Sequence, residues 1–309
     1  ERTTVFNDVL VWSIERNEWK QIESPNTPPP RCSHQSVVYK DKLYVFGGEY
    51  ATLDQFHHYK DMWALDLKTY IWSQVTPLGS EHPSARSGHR MVVWRNYIVL
   101  FGGFYEAMRD IRWFNDMYIY SLADNKWFLV PPKMHSPVPR ARSGFQMCVY
   151  NADDTLYIYG GYSKEKQVAV GSGAGAGTGT GTGTGSKSKK ESKVHEDMWS
   201  LSLKALILSG AGGSTGGSQS GLESQSHSQP TMTSKHAPKA KKDKGSNPSS
   251  SGGGGSNKHA GKYQAQWLKV SKKGQYPSTR CGAVLVAYKN KGLLFGGVFD
   301  EEGRCIVCV

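Results

Sequence analysis

An all-β fold of the β-propeller class is predicted from three features that repeat along this 309-residue sequence. A Gly-Gly doublet closes an apolar run four times, in the segments LYVFGG, IVLFGG, LYIYGG and LLFGG. An aspartate and a tryptophan recur eleven residues apart in three copies, and an arginine precedes each doublet by 16 or 18 residues. Repeated units of about 50 residues with strand-like apolar runs are typical of propeller blades.

The glycine doublets mark strand ends at which the backbone packs closely. The first three begin at Gly47, Gly102 and Gly160, so the intervals are 55 and 58 residues. Glycine suits such a position because it has no side chain and tolerates unusual dihedral angles. A phosphate-binding loop does not explain the doublets, because no helix start and no Lys-Ser/Thr pair follows them.

The aspartate and the tryptophan bracket the second half of each unit. The tryptophans are large apolar anchors that we expect to pack between neighbouring blades. In the fourth copy the two residues are 70 apart, so 59 extra residues lie between them. The pairs are Asp8 with Trp19, Asp61 with Trp72, Asp116 with Trp127, and Asp197 with Trp267.

Each unit is predicted to contain four short antiparallel strands, bounded by polar turns. In the second copy these are HRMVVWRN, YIVLFGG, MWALDL and IWSQV. Complete blades are expected at about 32–76, 87–131 and 143–270. Residues 5–23 supply only third and fourth strands, and the sequence stops soon after the second-strand signature LLFGGVFDEE. We therefore expect three complete four-stranded blades and two half blades, belonging to a fragment of a larger propeller.

The sequence resembles the kelch family, and within it the branch of kelch domain-containing protein 4 and its yeast relative. The stretches that carry this resemblance are RCSHQSVV, LYVFGGEY, HHYKDMW, RSGHRMVVW, LFGGF, RSGFQM and YGGYSK. The resemblance implies a kelch-type propeller and a role in protein binding. The fold also occurs in a copper oxidase that acts on galactose, and many kelch propellers are substrate receptors of ubiquitin ligases.

These patterns divide the sequence into five segments. Two of them are low-complexity inserts that are too poor in apolar residues to offset the entropy of ordering, so we expect them to be disordered. The segments are blades at 1–162, an insert in a loop between second and third strands at 163–196, a strand at 197–203, a Gly/Ser/Lys-rich insert at 204–262, and an incomplete last blade at 263–309.

The composition predicts a cytoplasmic protein. No apolar run is long enough to span a membrane, and no signal peptide opens the sequence. Five cysteines without a disulfide spacing favour a reducing compartment. Cys305 and Cys308 form a lone CxxC pair, and a zinc site needs a second ligand pair. We therefore expect no metal and no cofactor.

The net charge of +12 invites a nucleic-acid interpretation. Residues 204–262 hold eight lysines and only two acidic residues, so much of the excess lies in this insert. Nucleic-acid binding is therefore not expected of the propeller, although weak binding through the insert stays open as an alternative. The basic segment 234–244 could also direct nuclear import.

Loops at one end of the propeller are the expected binding site, since such loops sit on a rigid scaffold. The loops between second and third strands (49–60, 104–115 and 162–196) share this end with the connections between blades. Arginine and aromatic residues are enriched at interface hot spots, and arginine binds carboxylates in a bidentate manner. A protein or acidic peptide is the expected partner. The candidate residues are Arg31, Tyr50, His58, Arg86, Tyr105, Arg109, Trp113, Arg140, Arg142 and Arg280.

Two alternatives to this binding site stay open. An arginine at a fixed distance from the glycines also fits a scaffold role, in which it holds loops or strand ends. An enzyme is not expected, because the histidines lie mostly in loops or inserts and no Ser-His-Asp set can be assigned from sequence order. A ubiquitin-ligase substrate receptor is a further alternative that rests on fold analogy alone.

Overall fold

The computed structural model describes residues 3–52, 55–107, 110–166, 190–206 and 263–299. These residues form three four-stranded and five two-stranded antiparallel sheets, with one helical turn at 203–206. The predicted all-β propeller class is confirmed. No helix in this described part of the chain is long and apolar enough to cross a membrane.

The strands are short, mostly four or five residues. In chain order they are β1 (Val9–Ser13), β2 (Glu18–Ile22), β3 (Gln35–Tyr39), β4 (Lys42–Phe46), β5 (Glu49–Ala51), β6 (Phe56–His58), β7 (Met62–Asp66), β8 (Trp72–Val75), β9 (Arg90–Trp94), β10 (Tyr97–Phe101), β11 (Phe104–Ala107), β12 (Asp110–Trp113), β13 (Met117–Ser121), β14 (Lys126–Leu129), β15 (Gln146–Tyr150), β16 (Thr155–Tyr159), β17 (Tyr162–Lys166), β18 (Lys190–Val194), β19 (Met198–Ser202), β20 (Trp267–Lys269), β21 (Val284–Tyr288) and β22 (Lys291–Phe295).

Three complete blades follow one another along the chain. Blade A is β3-β4-β7-β8, blade B is β9-β10-β13-β14, and blade C is β15-β16-β19-β20, each hydrogen-bonded in that order. The registers are equivalent, since Phe46 pairs with Met62, as Phe101 pairs with Met117 in blade B. The pairs β1-β2 and β21-β22 form two-stranded sheets before and after the three blades.

One assignment of strands to a single copy was wrong. MWALDL and IWSQV form β7 and β8 of blade A, whereas HRMVVWRN and YIVLFGG form β9 and β10 of blade B. The four segments are contiguous in sequence, but the boundary between blades falls between them. The reason is that the two inner strands of a blade precede its two outer strands along the chain.

The segments expected as irregular loops contain hairpins instead. In blades A and B, the second and third strands are joined by the two-stranded hairpins β5-β6 and β11-β12. In blade C the hairpin β17-β18 occupies the equivalent place. The middle of this last connection, residues 167–189, lies outside the described residues, as does most of the second insert, at 207–262. The disorder expected for both inserts stays a prediction.

The glycine doublets are the points at which neighbouring blades dock. Gly47 and Gly48 both have positive φ, at 65° and 91°. A Cβ atom on Gly47 would lie 2.7 Å from the carbonyl oxygen of Arg86 in the next blade. The amide of Gly48 donates a hydrogen bond to that same oxygen at 2.9 Å. Both the dihedral angles and the close approach therefore require glycine.

The tryptophans of blades B and C pack between blades, as predicted, whereas Trp19 on β2 is 69% exposed and stacks on Trp12 of β1. Trp127 of blade B is fully buried, with its ring 5.5 Å from that of Phe46 in blade A. Trp267 of blade C is 5.2 Å from Phe101 in blade B. These rings lie in apolar clusters that span neighbouring sheets and fix the blades against each other.

A chain of backbone hydrogen bonds links the blades near their inner strands. The amide of Gly88 donates to the carbonyl of Ser33, that of Gly144 to Gly88, and that of Gly282 to Gly144. All four residues have φ between 54° and 66°. Ser33 is the exception to glycine in this set, so one copy adopts a left-handed conformation that is unfavourable for a residue with a side chain.

Candidate functional site

The hairpin face is the end of the propeller formed by the three hairpins β5-β6, β11-β12 and β17-β18 and by the connections that lead into each blade. Each hairpin is tied to a connection through an isolated bridge. Cys32 bridges to Glu49, Ser87 to Phe104, and Ser143 to Tyr162. The hairpins are therefore held against the blades by backbone bonds and form a defined surface.

The arginines that precede the doublets form clamps inside this face. Arg86 is 0% exposed and donates to both carboxylate oxygens of Asp116, at 2.6 and 2.9 Å. It also donates to the carbonyl of Gly102 at 3.1 Å, and its guanidinium lies 4.2 Å from the ring centre of Phe114. Its guanidinium is thus fully engaged within blade B.

The same clamp recurs in the two other complete blades. Arg31 binds the carboxylate of Asp61 at 2.8 and 3.0 Å and the carbonyl of Gly47. Arg142 binds Asp197 at 2.6 and 3.1 Å. Burial would raise the pKa of Asp197, but the bonds from Arg142 outweigh this and lower it to about 2.

These contacts remove three arginines from the expected binding set. Arg31, Arg86 and Arg142 hold the start of the third strand to the second, which is the scaffold role that the fixed spacing left open. The expectation of an acidic partner rested on six arginines, of which these are three. It loses that part of its support because each of these guanidinium groups already binds a carboxylate of its own.

Of the other predicted arginines, Arg280 repeats one bond of the clamp, the bond to a doublet carbonyl. Arg280 donates to the carbonyl of Gly296 at 2.9 Å and to the hydroxyl of Ser278. Arg140 is exposed, and its carbonyl accepts a bond from Arg142. Arg109 lies outside the described residues.

The predicted aromatic residues do meet on the hairpin face. Tyr105 lies on the first strand of the hairpin of blade B, with its ring 5.0 Å from that of His58 on the hairpin of blade A. Tyr50 stacks on His57 at 5.5 Å. Trp113 packs against Phe104 and Tyr162, each at 5.4 Å between ring centres.

A buried polar cluster links blades A and B beneath these rings. His58 Nδ1 lies 2.8 Å from the hydroxyl of Ser87 and 3.5 Å from Glu49 Oε2. The amide of Glu106 donates to His58 Nε2 at 2.8 Å, and Ser33 donates to Glu49 Oε1 at 3.2 Å. Because Nε2 accepts a bond, Nδ1 carries the proton of the neutral ring.

Burial sets the charge states of this cluster. It lowers the pKa of His58 to about 4, with a further contribution from His57, so the imidazole is neutral at pH 7. Burial also raises the pKa of Glu49, and the charge of Glu106 acts in the same direction. The hydroxyls of Ser87 and Ser33 oppose that rise. Glu49 is therefore a carboxylate held in a poorly solvating place.

The cluster lacks the geometry of a hydrolytic triad. A triad needs the serine on one imidazole nitrogen and the carboxylate on the other. Here both Ser87 and Glu49 approach Nδ1 of His58, and a backbone amide occupies Nε2. Ser87 thus has no basic nitrogen to accept its proton. No group of three or more His, Cys, Asp and Glu residues in the described ranges could hold a metal ion.

Two cavities open on the hairpin face beside this cluster. One, of about 440 Å³, is lined by Arg31, Glu49, Phe56, Phe104 and Glu106, among others. The second, of about 650 Å³, shares Phe56 and Glu106 with it and adds His57, His58 and Tyr105. The two cavities adjoin at Phe56 and Glu106, and residues 3–6 also line the first; we call the pair the recess between the hairpins of blades A and B.

The residues that sequence reasoning missed are Glu49, Ser33, Ser87, Glu106 and Phe56. The sequence did contain a signal for Glu49. The residue after the doublet is this glutamate in one copy and apolar in the other three. The structure places its equivalents, Phe104 and Tyr162, at the start of the other hairpins. A charged residue at a position that is apolar in the other copies indicates a role other than packing in the core.

Comparison with known proteins identifies the repeats. Residues 1–170 match a family profile described as the KLHDC2/KLHL20/DRC7 Kelch-repeats domain. An N-(sulfonatooxy)prop-2-enimidothioate sulfolyase of Thlaspi arvense is 31% identical over 48% of this chain and 41% of its own length. A leucine-zipper-like transcriptional regulator 1 homolog of Drosophila melanogaster is 28% identical over 50% of this chain and 16% of its own.

A third relative is named for an acyl-CoA-binding domain. Acyl-CoA-binding domain-containing protein 5 of Arabidopsis thaliana is 27% identical over 52% of this chain and 24% of its own length. The chain thus spans less than half the length of each of these curated relatives. The names of these relatives describe unlike activities.

Proposed function

We propose, from the premise that this chain belongs to the family of Kelch-repeat domains, that it is a non-enzymatic scaffold that binds a protein or peptide partner through its hairpin face. Kelch repeats generally mediate protein–protein interactions. The observation that carries the proposal is the recess between the hairpins of blades A and B, with the exposed rings of Phe56 and Tyr105 at its edge. Aromatic side chains beside a desolvated recess are characteristic of interface hot spots.

Several details of the proposal rest on the sequence alone. The motifs around the first three doublets support placing the chain in the branch of kelch domain-containing protein 4 and its yeast relative. A cytoplasmic location, with nuclear entry through residues 234–244, is proposed from composition. The partner is a protein or peptide segment, and the internal engagement of Arg31, Arg86 and Arg142 does not favour an acidic one.

The proposal is tested by removing the two exposed rings. Phe56→Ala combined with Tyr105→Ala should weaken partner binding roughly 30-fold or more, since truncating one interface anchor costs about 2 kcal/mol. The measurement is the affinity for partners recovered by cross-linking in cells and then purified. Both side chains are partly exposed, at 44% and 37%, so the fold should be retained.

The matched control is Ile71→Ala combined with Leu129→Ala. These side chains are 49% and 41% exposed and lie at or beside the outer strands of blades A and B. The control should keep the same partners at unchanged affinity. If the control pair weakens binding and the hairpin pair does not, the binding surface lies at the blade edges and the proposal is wrong.

Two alternative functions have tests of their own. A ubiquitin-ligase substrate receptor would make partner turnover depend on this chain and on the proteasome. Weak nucleic-acid binding through the lysine-rich insert would fall steeply with salt, as expected for phosphate neutralisation. It would vanish when residues 207–262 are deleted, a deletion that spares the buried Leu203 and Leu206.

A further inference from the structure

Glu49 is a buried carboxylate that the fold leaves half satisfied. Its side chain is 7% exposed, and its Oε1 accepts a bond from Ser33. No hydrogen bond reaches its Oε2 from the described residues, although the protonated His58 Nδ1 lies 3.5 Å away and the hydroxyl of Ser87 is close enough to lower the pKa of Glu49. Burial of a charged group without compensating partners destabilises a fold, so a second ligand for this oxygen is expected to come from outside the chain.

The surroundings of Glu49 carry an excess of negative charge. Glu106 lines the same cavity of about 440 Å³. Arg31 also lines it, but its guanidinium is bound to the carboxylate of Asp61. His58 is neutral at pH 7, because burial lowers its pKa to about 4. The cavity therefore offers two carboxylates and no uncommitted cation among its described lining residues.

The walls of the cavity are apolar and aromatic. Phe56 and Phe104 line it on either side of the boundary between blades A and B. Aromatic faces attract cations, and they also cover the aliphatic stem of a long basic side chain. A buried carboxylate with aromatic rings beside it is complementary to an ammonium or guanidinium group.

We propose that this cavity binds the lysine or arginine side chain of a partner peptide, with its charged head between Glu49 and Glu106. The inference rests on the proposed function, because the ligand reaches the cavity from the partner docked on the hairpin face. The adjoining cavity of about 650 Å³, beside Tyr105 and His57, takes the residues next to the basic one.

Other ligand classes fit the cavity less well. An anion would be repelled by the two carboxylates. An apolar side chain would exclude water from Glu49 without giving Oε2 a donor, which raises the cost of its burial. A metal ion would need more ligands, and no set of three suitable side chains comes together in the described part of the chain.

The direct test uses simple probes on the intact chain. N-acetyl-arginine amide and N-acetyl-lysine amide supply the cation, whereas N-acetyl-glutamine amide and N-acetyl-glutamate amide are the neutral and anionic controls. The readout is the NMR signal of glutamate side-chain carboxyls labelled with ¹³C. The cationic probes should shift the signals of Glu49 and Glu106 in a saturable way, and the controls should not.

Variants then locate the binding. Glu49→Gln preserves side-chain volume and should weaken the cationic probes at least tenfold. Glu106→Gln should weaken them as well and decides the matter if Glu49→Gln proves poorly folded. Glu18→Gln, at an exposed carboxylate on β2, is the matched control and should leave probe affinity unchanged.

Several outcomes would overturn the inference. They are no saturable shift with either cationic probe, equal shifts with the neutral probe, or probe binding that survives both Glu49→Gln and Glu106→Gln. The same variants separate this inference from the proposed function. If Phe56→Ala with Tyr105→Ala abolishes partner binding while Glu49→Gln changes neither partner nor probe affinity, the hairpin face is the binding site but its cavity does not select a basic side chain.

Discussion

At the scale of single residues, the buried charges differ in how completely they are paired. Arg86 and Asp116 satisfy each other through two hydrogen bonds, and Arg86 also reaches a carbonyl in its own blade. Glu49 is buried to a similar degree, yet no hydrogen bond reaches one of its oxygens from the described residues. The pair of Arg86 and Asp116 stabilises the fold. The partly paired Glu49 destabilises the fold, and we propose that it is retained for binding.

The clamp predicts a large loss of stability when its arginine is removed. Arg86→Met should lower the free energy of unfolding by about 3–5 kcal/mol, because Asp116 and the carbonyl of Gly102 would lose their buried partner. Urea unfolding measures the change. The matched control is Arg95→Met, at an exposed pair with Asp154, which should cost about 1 kcal/mol or less. Similar losses in the two variants would contradict the clamp.

The strained carboxylate predicts a gain of stability when its charge is removed. The pKa of Glu49 is raised in the folded state, so its ionisation favours unfolding as pH rises through that pKa. Glu49→Gln should therefore be more stable than the parent chain at pH 7. The difference should shrink as the pH falls through the raised folded-state pKa towards 4.5, below which Glu49 is protonated in both states. Thermal unfolding at the two pH values measures it.

This second prediction has a clear failure. If Glu49→Gln is less stable than the parent chain at pH 7, the carboxylate is a structural partner of Ser33 and Ser87. The trade of stability for a binding function is common at functional sites. A stabilised variant that also loses the cationic probes would join the two properties in one residue.

At the scale of elements, the strands and the blade order were predictable because their signals are local. The apolar runs that end in doublets are β4, β10, β16 and β22 in the structure. The hairpins were not predicted, because β6 is only three residues long and carries the sequence FHH. The β5-β6 hairpin is held by contacts distant in sequence, such as the bridge between Cys32 and Glu49 of β5, and these leave no pattern in the hairpin itself.

The site was predictable only in part. Sequence placed Tyr50, His58 and Tyr105 together at one end of the propeller, and the structure has them on the hairpin face, because loop position follows from strand order. It could not decide the role of the arginines from their distance to the glycines. A second constant spacing would have indicated the pairing with aspartate, because Arg31 and Arg86 each lie 30 residues before the aspartate that they bind. The unpaired oxygen of Glu49 depends on three-dimensional packing and could not be foreseen.

At the scale of the whole molecule, the blades form a framework that presents the hairpins. Doublet amides bond to the arginine carbonyl of the next blade, and the same arginine clamps its own blade through its side chain. Blade-to-blade docking and hairpin placement are therefore coupled at one residue per blade. Such a framework holds the recess between blades A and B in a fixed shape, which favours binding without rearrangement.

The most direct test of the central claim is site-specific photo-cross-linking in cells. A photoreactive phenylalanine analogue replaces Tyr105 on the hairpin face, and in a parallel experiment it replaces Ile71 beside the outer strand of blade A. Irradiation should give discrete covalent adducts with partner proteins from position 105 and none from position 71. Adducts from position 71 alone would contradict the account and move the binding surface from the hairpin face to the blade edges.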